Sequence, residues 1–167
     1  MNLVSVAQCF ALIITANIVP PAVSIATKDC CAWPIDGGLD WFDGRPLFGD
    51  SKTLRGLILA VVGGAAVGCL IGVTWRLGAS AALSAMAGDL FSSFCKRRLG
   101  LGASAPALGL DQIPESLLPA IACAAPLGLS WYDIVTIVVL FAIGDAIVSP
   151  DYRRWRFPWE KPAGSGD

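Results

Sequence analysis

The chain has 167 residues, 55% of them hydrophobic and 15% charged, with 12 Lys+Arg against 13 Asp+Glu and a mean hydropathy of +0.66. So small a charged fraction, against about a quarter in ordinary soluble domains, points into a membrane, and a net charge of −1 offers no basic face for nucleic acid. Histidine is absent, which removes Ser-His-Asp and Cys-His nucleophile systems and every histidine-based metal site, so any metal must sit on oxygen.

Apolar stretches approaching the roughly 20 residues a membrane helix needs follow one another along the chain. The first, about 3–26, carries no charge; Pro20-Pro21 and the lack of a positive n-region argue against a secretory signal. Loop 28–55 follows. The second span, about 56–75, ends against Arg76, and Ala60, Gly64, Gly68 and Gly72 recur along it every four residues. Such a row of small residues lets backbones approach, and reads either as a homodimer seam or as packing inside a bundle. The third span, about 77–95, is interrupted by Asp89 and leads into loop 96–115. The fourth covers about 116–132, and the fifth, about 134–149, carries Asp145 near its end. In the tail, 150–167, Trp155 and Trp159 with Arg153, Arg154 and Arg156 read as an interfacial anchor. The spacing therefore predicts an all-α integral membrane protein of five transmembrane helices in a single membrane domain, 1–167. The shorter spans require tilt or local thinning. The six cysteines, at 9, 30, 31, 69, 95 and 123, contain no C-x-x-C and suggest buried thiols rather than zinc or a disulfide framework.

Lys and Arg gather on the cytoplasmic side of short loops. Loop 28–55, loop 96–115 and the tail together hold 11 of the 12 cations, and only Arg76 lies on the other side. The amino terminus is therefore expected outside and the carboxyl terminus inside, with two cytoplasmic functional loops.

Ionisable groups inside spans are costly and mark function by default. In this topology Asp89, Asp145 and Asn17 lie at one depth just below the cytoplasmic surface, although Asp145 also suits a plain ion pair with an interfacial arginine. Asp89, Ser93, Lys96 and Arg97 form one helical stripe of carboxylate, hydroxyl and cations. The oxygens suit a hard divalent ion and the cations suit phosphate. The glycine-punctuated segment 43–56 begins with Asp43 and ends in Lys52-Thr53 at a helix start, a place for a phosphate chain. It is not a P-loop, because Ser51 breaks the pattern and no strand precedes it. Asp111-Gln112 adds a carboxylate from the same side. The intramembrane Asp89 and Asp145 would also fit an ion- or proton-coupled transporter, but that reading predicts charges nearer the midplane and an internal repeat, and the sequence has none.

Taken together, Asn17-x-x-Pro20, Ile35-Asp36-Gly37-Gly38, Asp43-Gly44-Arg45-Pro46-Leu47-Phe48-Gly49, Lys52-Thr53-Leu54-Arg55-Gly56, the run from Gly88-Asp89-Leu90 to Lys96-Arg97-Arg98, Leu110-Asp111-Gln112 and the late Phe157-Pro158-Trp159 resemble the CDP-archaeol synthases, five-helix membrane enzymes related to phosphatidate cytidylyltransferases. The resemblance covers nearly the whole chain. It implies transfer of CMP from CTP to a lipid phosphate with magnesium and release of pyrophosphate; in archaeal members the acceptor is an unsaturated isoprenoid diether glycerol phosphate. It further implies Asp89 and Asp111 on magnesium, Lys52 and Thr53 on the nucleotide phosphates, and Ser93, Lys96 and Arg97 on the reacting phosphates. Gly56, Asn17, Gln112 and Asp43 complete the expected substrate contacts, with Asn17 and Asp145 on the lipid side. Relatives often carry an acidic residue where this chain has Pro114, and Glu115 is the candidate stand-in.

Overall fold

The computed structural model describes residues 2–27, 32–102, 107 and 109–148. Lys28, Cys30, Cys31 and the whole tail from 149, with its tryptophans and arginines, lie outside the described residues. Five helices follow in order: α1 (Leu3–Thr27), α2 (Leu54–Leu70), α3 (Trp75–Arg98), α4 (Gln112–Leu127) and α5 (Trp131–Val148). No strand occurs among the described residues, only isolated bridges at Pro34 with Thr53 and at Asp40 with Pro46. Among these helices α1 is the one long and apolar enough to cross a bilayer by itself. At 17 and 16 residues, α2 and α4 span only about 25 Å at 1.5 Å per residue.

Local chemistry sets the helix ends. Thr53 caps α2, its Oγ1 accepting from Gly56 N at 3.2 Å, so the helix starts two residues before the expected 56. It stops at Leu70 rather than 75 because Gly72 turns left-handed at φ +79° and Val73 N donates to Gly68 O. Thr74 then caps α3 by accepting from Leu77 N. α4 begins four residues ahead of its apolar run and ends on left-handed Gly128. In front of α5, Asp133 and Ser130 bond reciprocally, a capping arrangement that buries the Asp133 carboxylate.

Close packing follows from the small residues. A Cβ on Gly64 would stand 2.7 Å from Ala82 Cβ, and one on Gly68 would stand 3.2 Å from Gly78 Cα. The glycine row is thus engaged against α3 within the chain, and Gly72 lies in the following turn. That row is not available as the homodimer seam that the sequence left open; the face is already covered. Cys9, Leu12 and Ile13 of α1 form the main core with Leu77, Ala81, Cys123 and Ile137. Cys9, Cys69, Cys95 and Cys123 are free thiols.

Candidate active site

Segment 32–53 is a folded cap, organised by one carboxylate. Asp36 accepts from the N–H groups of Gly38, Phe48 and Gly49 at 3.0, 2.9 and 3.1 Å. Burial pushes the Asp36 carboxyl up, but these backbone donors outweigh it and hold the group below its ordinary value. Ile35 N donates to Lys52 O, and Lys52 N donates to Gly49 O, so the loop delivers Lys52 in a fixed position.

Three arginines fasten this cap to the end of α3. Arg45 Nη1 donates to the carbonyls of Arg97 and Arg98, at 3.3 and 2.9 Å, sharing the Arg97 carbonyl with Gly100 N at the end of the helix. Arg98 returns to Arg45 O and Pro46 O and pairs with Asp43 at 2.5 Å. Arg97 is buried, its Nε on Phe48 O and its Nη1 on Leu101 O.

Under the cap lies a cavity of about 630 Å³ whose walls come from all five helices. Asn17, Lys52, Thr53, Gly56 and Asp89 line it, together with Asp145. Asn17, Pro20, Pro21, Ser24 and Ile25 form its α1 wall; their spacing is that of one helical face. Ser93, Lys96, Arg97, Asp111, Gln112 and Asp43 are not among the lining residues. Ser93 and Lys96 are buried in the bundle, and Asp43 is exposed on the cap. Lys96 meets Asp111 at 2.9 Å, while Gln112 Nε2 donates to Asp145 Oδ2 at 2.8 Å and so supports the cavity wall from behind.

The cavity holds an ion pair between Lys52 and Asp89. Lys52 Nζ bonds both Asp89 oxygens, at 2.5 and 2.6 Å. The Glu115 carboxyl reaches hydrogen-bonding contact with Asp89 and interacts electrostatically with Asp111. Two carboxyls in contact require a cation or a proton between them. The Lys52 ammonium bonds Asp89 and acts on Glu115 electrostatically. Gly88 makes the contact possible, because a Cβ there would run into the backbone of Pro114 and Glu115.

Sequence reasoning assigned no role to the polar lining residues Arg55, Asp50 and Ser24, and named Glu115 only as a stand-in. Arg55 counted toward orientation and stood in the Lys52–Gly56 motif without a role, yet it lies three residues after Lys52 in the first turn of α2, on the same side as the cavity. The signal for Glu115 was its displacement by one place from the acidic position expected after Asp111.

The donor set suits a hard divalent ion. Asp89 and Glu115 offer carboxylate oxygens, and the buried Asp111 Oδ1, although 2.9 Å from Lys96, accepts no aligned hydrogen bond. Among the described residues no three acidic, cysteine or histidine side chains converge on one metal position.

A family model described as CarS-like, CDP-archaeol synthase, matches residues 10–84 and 73–149. The CDP-archaeol synthase of Thermococcus onnurineus is 45% identical over 139 residues, covering 76% of this chain and 80% of that protein. The CDP-archaeol synthase of Sulfurisphaera tokodaii is 40% identical over 113 residues, covering 64% and 68%. A solved structure described as "Structural insight into an intramembrane enzyme for archaeal membrane lipids biosynthesis" superposes with a TM-score of 0.71 at 29% identity, over 84% of this chain and 89% of the other. With five helices, a polar cavity at one end of the bundle and a match along most of its length, this chain belongs to the CarS-like family of CDP-archaeol synthases, membrane enzymes of lipid biosynthesis.

Proposed function

We propose that the protein moves CMP from CTP to a lipid phosphate at the cytoplasmic end of the bundle, releasing pyrophosphate, and that the acceptor is an isoprenoid diether glycerol phosphate. The observation that carries this reading is the cavity itself. It places cations and carboxylates side by side at the N-terminus of α2, and one of its walls is a membrane helix along which a lipid headgroup can enter.

A phosphate oxygen of the acceptor attacks the α-phosphorus of CTP; a new P–O bond forms and the bond to the β-phosphate oxygen breaks. A phosphate monoester is already ionised at neutral pH, so no protein base is needed, which suits a chain without histidine. What the reaction requires is in-line positioning and charge neutralisation. Lys52 and Thr53, at the positive end of the α2 dipole, hold the nucleotide phosphates. Arg55 adds charge on the same turn. Asn17 and Asp145 face the acceptor, with Asp145 held by Gln112. Asp89 and Asp111, with Glu115 beside Asp89, would hold magnesium, which neutralises charge on the phosphates. Arg97 and Ser93 act from behind the cavity, Arg97 by holding the cap. The direct test is incubation of the purified protein with CTP, magnesium and a panel of lipid phosphates, read by mass spectrometry. A CDP-lipid from the diether phosphate is expected; failure with every acceptor would reject the proposal.

Lys52→Ala should raise the apparent KM for CTP at least about tenfold while changing that for the lipid little, because Lys52 meets the nucleotide from the cap. Steady-state kinetics in detergent at fixed lipid mole fraction checks this. Unchanged CTP dependence with altered lipid dependence would reverse the assignment.

The orientation carries its own test. Gly102 is exposed in the second loop with nothing within 4 Å of where a Cβ would stand. In a background with Cys30, Cys31, Cys69 and Cys95 changed to Ser, Gly102→Cys should react with a membrane-impermeant maleimide in inverted vesicles and not in intact cells. Labelling in intact cells would put the cavity outside.

A further inference from the structure

We propose that the tip of the cap hairpin, Trp41 and Phe42, is seated in the headgroup layer of the same bilayer that the helices cross, so that the cap is held by lipid as well as by arginine. The proposal rests on the reading of the chain as a membrane enzyme and adds a lipid-binding surface that the reaction does not use.

The hairpin is a built element. Trp41 N donates to Arg45 O, Leu47 N to Leu39 O and Gly44 N to Trp41 O, with Gly44 in the left-handed region at φ +69°. This tight turn projects Phe42, 97% exposed, at its end. So exposed a phenyl ring contributes little to packing within the chain beyond its edge-to-face contact with Trp41.

Its surroundings identify what it meets. Trp41 contacts Phe42 and Phe94 edge to face, with ring centroids 5.2 and 5.5 Å apart. Phe94 belongs to α3, where Leu83, Ala87 and Phe91 precede it at helical spacing. Leu83 and Phe91 are 55% and 56% exposed, and Ala87 is exposed too. The opposite face of α3, with Ala81, Ala82, Ala85 and Gly88, is buried. The exposed stripe is therefore the lipid-facing side of a membrane helix, and the hairpin rings continue it past the last apolar turn. At that height Arg98 lies 5.1 Å from the Phe94 ring centroid while pairing with Asp43. Aromatic rings backed by a guanidinium are the composition that settles at the boundary between acyl chains and headgroups. An aqueous surface would leave this apolar corner uncovered; the bilayer edge covers it without any further partner.

The test replaces Phe42 and, separately, Leu83 with p-benzoylphenylalanine in the full chain, reconstituted in phosphatidylcholine vesicles and irradiated. Adducts are read by mass spectrometry. Both positions should yield protein–lipid adducts, at yields within about threefold of one another. Lipid adducts at Leu83 but none at Phe42, or a protein–protein adduct at Phe42, would overturn the seating of the hairpin and leave the membrane reading intact. Absence of lipid adducts at both positions would instead overturn the membrane reading on which the proposal rests.

Discussion

Asp89→Asn is expected to cut cytidylyl transfer by at least about 100-fold, equivalent to about 2.7 kcal/mol of transition-state stabilisation, while the bundle still assembles. Asparagine keeps the shape of the side chain and removes the charge that Lys52 binds at 2.5 and 2.6 Å. Removing one partner of an ion pair is severe when the survivor is left buried and alone. Here the survivor is not alone, because the Glu115 carboxyl also acts on Lys52 electrostatically. The change should therefore appear in turnover far more than in stability. Initial rates at saturating CTP and magnesium, set beside a melting curve in detergent, separate the two. Near-normal turnover would remove Asp89 from the reaction.

Gly88→Ala is expected to abolish activity to a similar degree and to lower the melting temperature as well. Its Cβ would stand 2.8 Å from Glu115 N and closer still to the Pro114 carbonyl, and helix backbone cannot rotate away as a side chain can. Relief requires α3 and α4 to part at the level where Asp89 meets Glu115. Gly144→Ala provides the contrast: it lies beside Asp145 with nothing within 4 Å, and alanine is the better helix former by about 1 kcal/mol. That variant should keep its activity and melt no lower than the parent. Equal behaviour of the two variants would show that the α3–α4 approach is irrelevant to the site.

The five helices were legible because each is a charge-poor run bounded by charge, a signal that lies along the chain. The shared depth of Asn17, Asp89 and Asp145 could also be read, since it needs only the alternation of helix direction; all three line one cavity. Helix ends were less legible. Thr53 and Gly72 act through hydroxyl capping and a left-handed turn, and hydropathy registers neither. The contacts of the site were out of reach for a different reason. Lys52 and Asp89 are 37 residues apart, and their meeting depends on a cap organised by Asp36, whose three N–H partners carry no side-chain signature. The stripe of Asp89, Ser93, Lys96 and Arg97 reads as one surface on a helical wheel. In the fold, Asp89 opens on the cavity while Arg97 is covered by the cap and bonded to Phe48 O and Leu101 O.

The arginine fastening between the cap and α3 gives mutagenesis at this end of the molecule a built-in ambiguity of attribution. Arg45, Arg97 and Arg98 contribute to the charge bias from which the orientation was inferred, and the same guanidinium groups hold carbonyls and Asp43. Truncating any of them would loosen the cap over Lys52, and activity would then fall whether or not that residue touches phosphate. Arginine-to-lysine replacements divide the outcomes, because lysine preserves charge but cannot bridge two carbonyls with a planar fork. Silence in Arg98→Lys would therefore report a lost fastening, and an inactive variant at this face is no proof of a catalytic arginine.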